Sequence, residues 1–303
     1  MITVEIGGKV SPYKEKTIEG EGDDKILLID ISGVITDKSR SGIAGINKEL
    51  GMVEKIKEQL KKAEDDKRIK AIILKLNTPG GTVSASDIIY HELMEFKKKR
   101  DVKIVAAMMD LSTSGGYYIS MSADKIIAHP TTITGSIGVL ALKLNMKSLF
   151  DKIGIEDETV KSGEKKDIAS PFRPFSEEEK KIFQEIIDAL FQGFVNVIKT
   201  GRKDLSAEEI QRISDGRIYT AQQALKLKMI DQIGYLEDAI ELAKKEADLK
   251  EAKTIIYHRA YQYKENIYSS KFTGSSQTVN ILNIDVDSFA DRIGTSFMYI
   301  WLP

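Results

Sequence analysis

The sequence contains no cysteine among its 303 residues. This absence excludes disulfide bonds, thiolate nucleophiles and cysteine-based zinc sites. The sequence also lacks any run of 18 or more apolar residues, so no segment is predicted to span a membrane. Residues 1–4 do not have the charged and apolar regions of a signal peptide. We therefore expect either a soluble protein or one whose membrane anchor has been removed from this sequence.

An excess of charge of one sign is also lacking. Lysine and arginine number 45 against 46 aspartate and glutamate residues, for a formal net charge of −1. This balance argues against nucleic acid as the main partner. The length allows one large domain or two ordinary ones, at about 100–200 residues per domain, and is sufficient to bury a core without covalent staples.

What the sequence does contain is an alternation of strand-like and helix-like segments. Apolar runs predict strands, and residues spaced three and four apart predict helices. This order predicts an α/β fold with a largely parallel sheet flanked by helices, followed by a more helical C-terminal portion. The predicted strands cover 25–35, 69–76, 102–109, 125–128 and 254–258, and the predicted helices cover 47–66, 84–99, 115–123, a long segment from 177, 221–228 and 236–247.

Composition divides the chain into three parts. Residues 1–24 are predicted as an N-terminal extension and residues 25–260 as the main domain. Residues 261–303 form a linker, polar over 261–278, and an apolar tail. Because an exposed apolar end is unusual, we expect residues 297–302 to dock on a neighbour or to lie in an active-site groove.

The most informative stretch is D-L-S-T-S-G-G-Y-Y-I-S at 110–120. It joins a predicted buried strand to a predicted helix, and it places Ser114 at the turn with two glycines after it. A serine nucleophile is usefully placed at such a turn, because its hydroxyl is presented at a helix N-terminus where a substrate can approach closely. The alternative is that Ser114 merely caps the helix.

A second stretch, N-T-P-G-G-T-V-S at 77–84, also joins a strand to a helix. Pro79 and Gly80 fit the central positions of a type II turn, which leaves the Gly81 amide free to face a ligand. Ser84 and Asp87 are predicted to cap the following helix. Because the carboxyl ends of neighbouring parallel strands share one edge of a sheet, Gly81 and Gly115 are predicted to supply two N–H donors beside Ser114. The alternative for this stretch alone is a plain turn.

A serine nucleophile needs a base, and the sequence offers few histidines. His91, His129 and His258 are the three present, and none lies in a context that suggests catalysis. The other base that serves a serine is a neutral lysine. Residues 161–171 form a lysine-rich loop that could supply it, although a solvated charged loop is the more ordinary interpretation.

Five motifs in order resemble the signal peptide peptidase A family. They are N-T-P-G-G at 77–81, T-S-G-G-Y-Y at 113–118, T-G-S-I-G-V at 134–139, Lys166 with Pro171 five positions later, and D-G-R-I-Y-T at 215–220 followed by Gln223 and Ala224. The resemblance covers roughly residues 25–257.

The resemblance implies a ClpP/crotonase-like fold and a serine endopeptidase with a Ser–Lys dyad. It implies Ser114 as nucleophile, Lys166 as general base, Ser136 as the serine that hydrogen-bonds the lysine, and Gly81 and Gly115 as oxyanion donors. It implies no metal or other cofactor.

The resemblance also has implications for partners. Substrates would be extended hydrophobic peptides such as remnant signal peptides or segments of misfolded proteins. Members of this short type form homo-oligomeric rings in which neighbouring subunits share each site. A membrane-associated, extracytoplasmic location is implied, although this chain shows no anchor.

The sequence departs from the family pattern at Ser112, Thr113 and Lys228. Small residues are usual at 112–113, and Ser112 is not expected to be the nucleophile. Lys228 replaces a glycine at a helix end, which predicts a less favourable end. Two alternative functions are a crotonase-like acyl-CoA enzyme, which would use the oxyanion amides without Ser114, and an inactive ring-forming scaffold.

Overall fold

One large, mostly parallel β-sheet organises the molecule. A computed structural model describes residues 11–39, 50–259, 266–269 and 297–302. Within these ranges the strands are β1 (Lys14–Glu19), β2 (Lys25–Ser32), β3 (Ile69–Thr78), β4 (Gly80–Thr82), β5 (Lys103–Thr113), β6 (Lys125–Ala128), β7 (Ile133–Gly135), β8 (Leu140–Ala141), β9 (Ile218–Thr220), β10 (Gln232–Ile233), β11 (Lys253–His258) and β12 (Phe297–Ile300).

The main sheet has the order β1-β11-β2-β3-β5-β6-β10. Along this order the pairings are parallel, except that β1 runs antiparallel to β11, and off this order β9 runs antiparallel to β7. Strand β5 is long enough to have two partners on one side. Its residues 105–108 pair with β6, and its residues 111–113 pair with β7, which in turn pairs with β9. Strand β5 therefore continues past its pairing with β6, toward the edge of the sheet at which the parallel strands have their carboxyl ends.

Helices cover both faces of this sheet, and each face buries its own apolar cluster. Apolar side chains dominate β2, β3 and β5, as expected for strands buried on both sides. One cluster lies against α1, α2, α3 and α5, and the other lies against α8. The helices are α1 (Met52–Glu64), α2 (Val83–Lys99), α3 (Gly115–Ser120), α4 (Lys147–Ile153), α5 (Glu177–Gly201), α6 (Ala207–Ile213), α7 (Ala221–Lys226) and α8 (Leu236–Glu246).

A second, three-stranded sheet has the order β4-β12-β8. Strand β12 runs antiparallel to both neighbours. Residues 297–302 therefore do dock, as expected of an apolar segment, and they dock beside the turn that contains Gly81.

The predicted fold class is confirmed, with local differences. Helix α1 begins at Met52 rather than near residue 47. Thr82, not Ser84, caps α2, because the Thr82 side chain accepts from the Ala85 N–H. Strand β1 arises within the segment predicted as an N-terminal extension.

Most of the predicted linker at 261–278 lies outside the described residues. Across the ranges that are described, no helix combines the length and the apolar character needed to cross a membrane.

Candidate active site

Ser114 lies where β5 ends and α3 begins. Its backbone has φ 53° and ψ −111°, which is unusual for a residue other than glycine and is typical of strained functional positions. Its side chain makes no capping hydrogen bond to α3. Ser114 is 1% exposed, and within the described residues its Oγ has no hydrogen-bond partner. Ser114 therefore occupies the N-cap position of α3, but its side chain does not cap the helix.

Ser136 lies beside Ser114. The Ser114 N–H donates to the Gly135 carbonyl oxygen at 2.7 Å, and Ser136 is the next residue. Ser136 also has a positive φ, 51°, and its N–H donates to the Arg217 carbonyl oxygen at 2.7 Å. This pairing of β7 with the end of β5 brings the second predicted site serine to the first.

Gly80, the residue before the predicted oxyanion donor Gly81, and the other predicted donor, Gly115, lie against the same carbonyl oxygen. Gly80 has φ +97°, and a Cβ there would collide with the carbonyl oxygen of Tyr299 and lie 2.8 Å from the Gly115 nitrogen. A Cβ at Gly115 would lie 3.2 Å from that Tyr299 oxygen. The absence of a side chain at Gly80 therefore lets the Tyr299 carbonyl approach the start of α3.

The register of β12 fixes how Tyr299 meets Gly81. Tyr299 is opposite Gly81, and the Trp301 N–H donates to the Pro79 carbonyl oxygen at 2.8 Å. In an antiparallel ladder, hydrogen-bonded pairs alternate with pairs that are not hydrogen-bonded. Because Trp301 is bonded to Pro79, the pair two positions away, Tyr299 and Gly81, is also a hydrogen-bonded pair. The Gly81 N–H is thus directed at the Tyr299 carbonyl.

The Tyr299 side chain fills an aromatic pocket next to Ser114. Its ring stacks on Tyr118 with centroids 5.1 Å apart and contacts Phe194 at 4.7 Å. Its hydroxyl donates to the Leu190 carbonyl oxygen at 3.0 Å. Burial raises the pKa of both Tyr299 and Tyr118, and the hydrogen bond from Tyr118 to Asp87 raises the Tyr118 pKa further.

Lys166 is not brought to Ser114 within this one chain. Its side chain is exposed, whereas Ser114 is buried without a partner among the described residues. Another lysine, Lys143, follows β8 and donates to the Arg173 carbonyl oxygen at 2.6 Å. Partial burial and the neighbouring Arg173 lower the pKa of Lys143.

Two comparisons of the sequence with protein families bear on this site. The model described as "Peptidase family S49" matches residues 96–250, which include Ser114, Ser136 and Lys166. The chain belongs to peptidase family S49. The model described as "Clp protease" matches residues 30–133 of this S49 peptidase and supports the expected ClpP-like fold.

Curated relatives of the S49 peptidase agree with this assignment. A putative signal peptide peptidase SppA of Enterococcus faecium is 41% identical over 244 residues, which cover 80% of this chain and 70% of that protein. A putative protease of Synechocystis is 37% identical, with 77% of this chain and 76% of that protein covered. Protease 4 of Haemophilus influenzae is 31% identical over 73% of this chain, which spans only 34% of that longer protein. The predicted class, a serine peptidase acting on peptides, is confirmed.

Among solved structures, the S49 peptidase is similar to a point mutant of ClpP1 from Listeria monocytogenes. The TM-score is 0.45 at 16% identity, and the match covers 70% of this chain and 94% of that one.

The residues of the aromatic pocket of this S49 peptidase are not evident from its sequence. Tyr118 lies four positions after Ser114, and Phe194 lies on the apolar side of α5. The available signals were the position of Tyr118 about one helical turn after Ser114 and the helical spacing of Phe194 in α5, and an aromatic residue at such spacing is more often part of the core. Their meeting depends on how α5 packs on α3.

Proposed function

We propose that Ser114 is the nucleophile that cleaves peptides bound as an added strand between β4 and β8. The observation that carries this proposal is the position of β12. An extended segment already lies in this groove, with one carbonyl facing Gly81 and the start of α3. Addition of a strand gives a peptide main-chain hydrogen bonds for affinity and side-chain pockets for specificity.

The chemistry follows from these positions. The Ser114 Oγ attacks the substrate carbonyl carbon as its proton passes to the neutral amine of Lys166. The carbonyl oxygen becomes an oxyanion, which accepts hydrogen bonds from the Gly81 and Gly115 N–H groups; one such donor is worth roughly 3–4 kcal/mol. The lysine then protonates the leaving amine, and water hydrolyses the acyl-enzyme by the reverse path.

In this proposal Lys166 comes from a second copy of the chain. The support is that Ser114 Oγ lacks a partner among the described residues while Lys166 is exposed on its own chain. A ring of identical subunits, each providing a serine to one site and a lysine to the next, completes every site. Ser136, beside Ser114, then accepts a hydrogen bond from the arriving lysine or donates one to its neutral amine.

The proposed substrates are extended apolar peptides, including remnants of signal peptides. The support is the aromatic pocket that holds Tyr299 and the name of the Enterococcus faecium relative. Such substrates imply work at a membrane surface, on the extracytoplasmic side.

The test is peptide hydrolysis by matched variants. Ser114→Ala should abolish cleavage while binding of an uncleaved apolar peptide persists, and Ser112→Ala, two residues away, should remain active. Lys166→Ala should be inactive, whereas Lys143→Ala should retain activity. Full activity of Ser114→Ala or Lys166→Ala would overturn the dyad, and preference for highly charged peptides would overturn the substrate class.

A further inference from the structure

The loop that contains Lys166 is joined to the start of α5 by an ion network. The guanidinium of Arg173 donates to both carboxylate oxygens of Asp167, at 2.7 and 2.8 Å. It also donates to both oxygens of Glu179, at 2.6 and 2.8 Å. Asp167 accepts a further hydrogen bond from Lys161 at 2.8 Å. One arginine thus holds the residue next to Lys166 and a residue in the first turn of α5.

This network is partly withdrawn from solvent. The exposed fraction is 3% for the Glu179 side chain, 12% for Asp167 and 27% for Arg173. Hydrogen bonds from Arg173 and from the Ser176 backbone lower the pKa of Glu179 to about 2. Hydrogen bonds from Arg173 and Lys161 hold the pKa of Asp167 well below its usual range. Bidentate hydrogen bonds between an arginine and a carboxylate fix the relative orientation of the two groups in addition to pairing their charges.

The far end of the network is anchored in the core. Glu179 and Ser176 form a capping box, in which the Ser176 N–H donates to Glu179 at 2.9 Å and the Glu179 N–H donates to Ser176 Oγ at 3.1 Å. Further along the same helix, Phe194 and Ile198 are fully buried. A continuous set of contacts therefore runs from the core, through α5 and Arg173, to Asp167.

We infer that Arg173 is a positioning residue for the catalytic lysine, which it places through Asp167. This inference rests on the proposed function, since it assumes that Lys166 is the base. Lys166 sits in a loop without regular structure, and it has to meet a serine on another subunit. Fixing the side chain of Asp167 limits the space that the amine of the neighbouring lysine explores.

The alternative is that Arg173 only stabilises the folded loop, by joining Asp167 to Glu179; we call this the staple role. The two roles differ in what a variant loses. Loss of a staple lowers stability and substrate binding along with turnover. Loss of positioning lowers the rate of the chemical step, because a displacement of about 1 Å at a reacting group can reduce the rate about 100-fold.

The experiment compares Arg173→Met and Arg173→Lys with the parent enzyme. Lysine keeps the charge but cannot bind both carboxylates in pairs. We expect kcat to fall about 10- to 100-fold in Arg173→Met, less in Arg173→Lys, with KM within about twofold. The affinity for an uncleaved apolar peptide, measured in the Ser114→Ala background, should be unchanged. The rate of acylation of Ser114 by a serine-reactive probe should fall with kcat.

The matched control is Lys165→Met. Lys165 lies on the other side of Lys166 and pairs with Glu178, also in the first turn of α5, but this pair is exposed. Its loss should leave kcat unchanged. Asp167→Asn, which keeps the acceptor oxygen and the shape, provides a milder test if Arg173→Met does not fold.

The outcomes separate this inference from the proposed function. If Lys166→Ala is inactive while Arg173→Met and Asp167→Asn turn over normally, only the positioning role is overturned. If the Arg173 variants lose peptide affinity and thermal stability in step with kcat, the staple role replaces it. If Lys166→Ala is active, the dyad fails and the positioning role fails with it.

Discussion

At the scale of single residues, left-handed backbone marks where this chain departs from ordinary geometry. Among the described residues, positive φ angles occur outside glycine at Ser114, Ser136, Ala169, Lys228 and Asp248. The first two lie side by side at the candidate active site, and Ala169 lies on the Lys166 loop. Such conformations cost of order 1–3 kcal/mol and concentrate at functional sites. Lys228 is different, since it lies just past the end of α7.

Lys228 offers a stability prediction. Lys228→Gly should raise the free energy of unfolding by about 0.5–1 kcal/mol, because glycine adopts the left-handed region without the penalty of a Cβ. Urea denaturation would measure it. The same replacement at Lys226, which is exposed in the last turn of α7, should instead lower stability by up to about 1 kcal/mol. Equal effects at the two positions would contradict the assignment of strain to Lys228.

At the scale of secondary-structure elements, β12 occupies the groove proposed for substrate, between β4 and β8. A variant that lacks residues 297–303 should bind apolar peptides more tightly, because substrate no longer has to displace a strand. We expect a lower KM with kcat little changed, measured by steady-state hydrolysis. Tyr299→Ala should act in the same direction because it empties the aromatic pocket.

Leu302→Ala is the control for β12, since this side chain is 54% exposed beyond the strand. It should leave KM unchanged. An unaltered KM after removal of residues 297–303 would mean that β12 does not compete with substrate.

The elements that could be predicted from sequence are those with a local signal. Residues 102–109 are apolar almost without interruption, so β5 was predicted, and with it the strand-to-helix turn that places Ser114. The small sheet could not be predicted. Its strands have three, two and four residues, too few for a periodic pattern, and they pair residues from distant parts of the sequence.

The candidate site was predictable to the same extent. Gly81, Gly115 and Ser114 followed from two strand-to-helix turns at one edge of a parallel sheet, and the structure brings them together. Sequence pattern offered only the lysine-rich loop at 161–171; the choice of Lys166 within it, and that of Ser136, came from the family resemblance, because a charged loop and a Gly-Ser turn have no distinguishing local chemistry. Thr82 was missed as the cap of α2 because Thr82 and Ser84 both offer a hydroxyl, and only the backbone conformation chooses between them.

At the scale of the whole molecule, shared sites predict complementation. Ser114→Ala and Lys166→Ala subunits are each expected to be inactive, but a mixture contains interfaces with one intact serine and one intact lysine. Random exchange at equal amounts should restore about a quarter of the parent activity, because one interface in four is intact in a closed ring of identical contacts. Activity of the mixture after dissociation and reassociation is the measurement.

The control for complementation is a mixture in which one partner has both substitutions. It provides no intact interface and should remain inactive. No recovery in the first mixture, after verified exchange of subunits, would place Ser114 and Lys166 in one chain. A fully active monomer at high dilution would also contradict shared sites.

The strand in the groove belongs to the same polypeptide as the groove itself, and this has a kinetic consequence. A free inhibitor becomes less effective when the solution is diluted, but a tethered one keeps the same local concentration at any protein concentration. If β12 competes with substrate as predicted above, the fraction of open sites is an intrinsic constant of the chain, and the observed substrate affinity is the true affinity reduced by that fraction. An enzyme built in this way can be switched by anything that pulls or cuts the segment, without a change in the amount of enzyme or substrate.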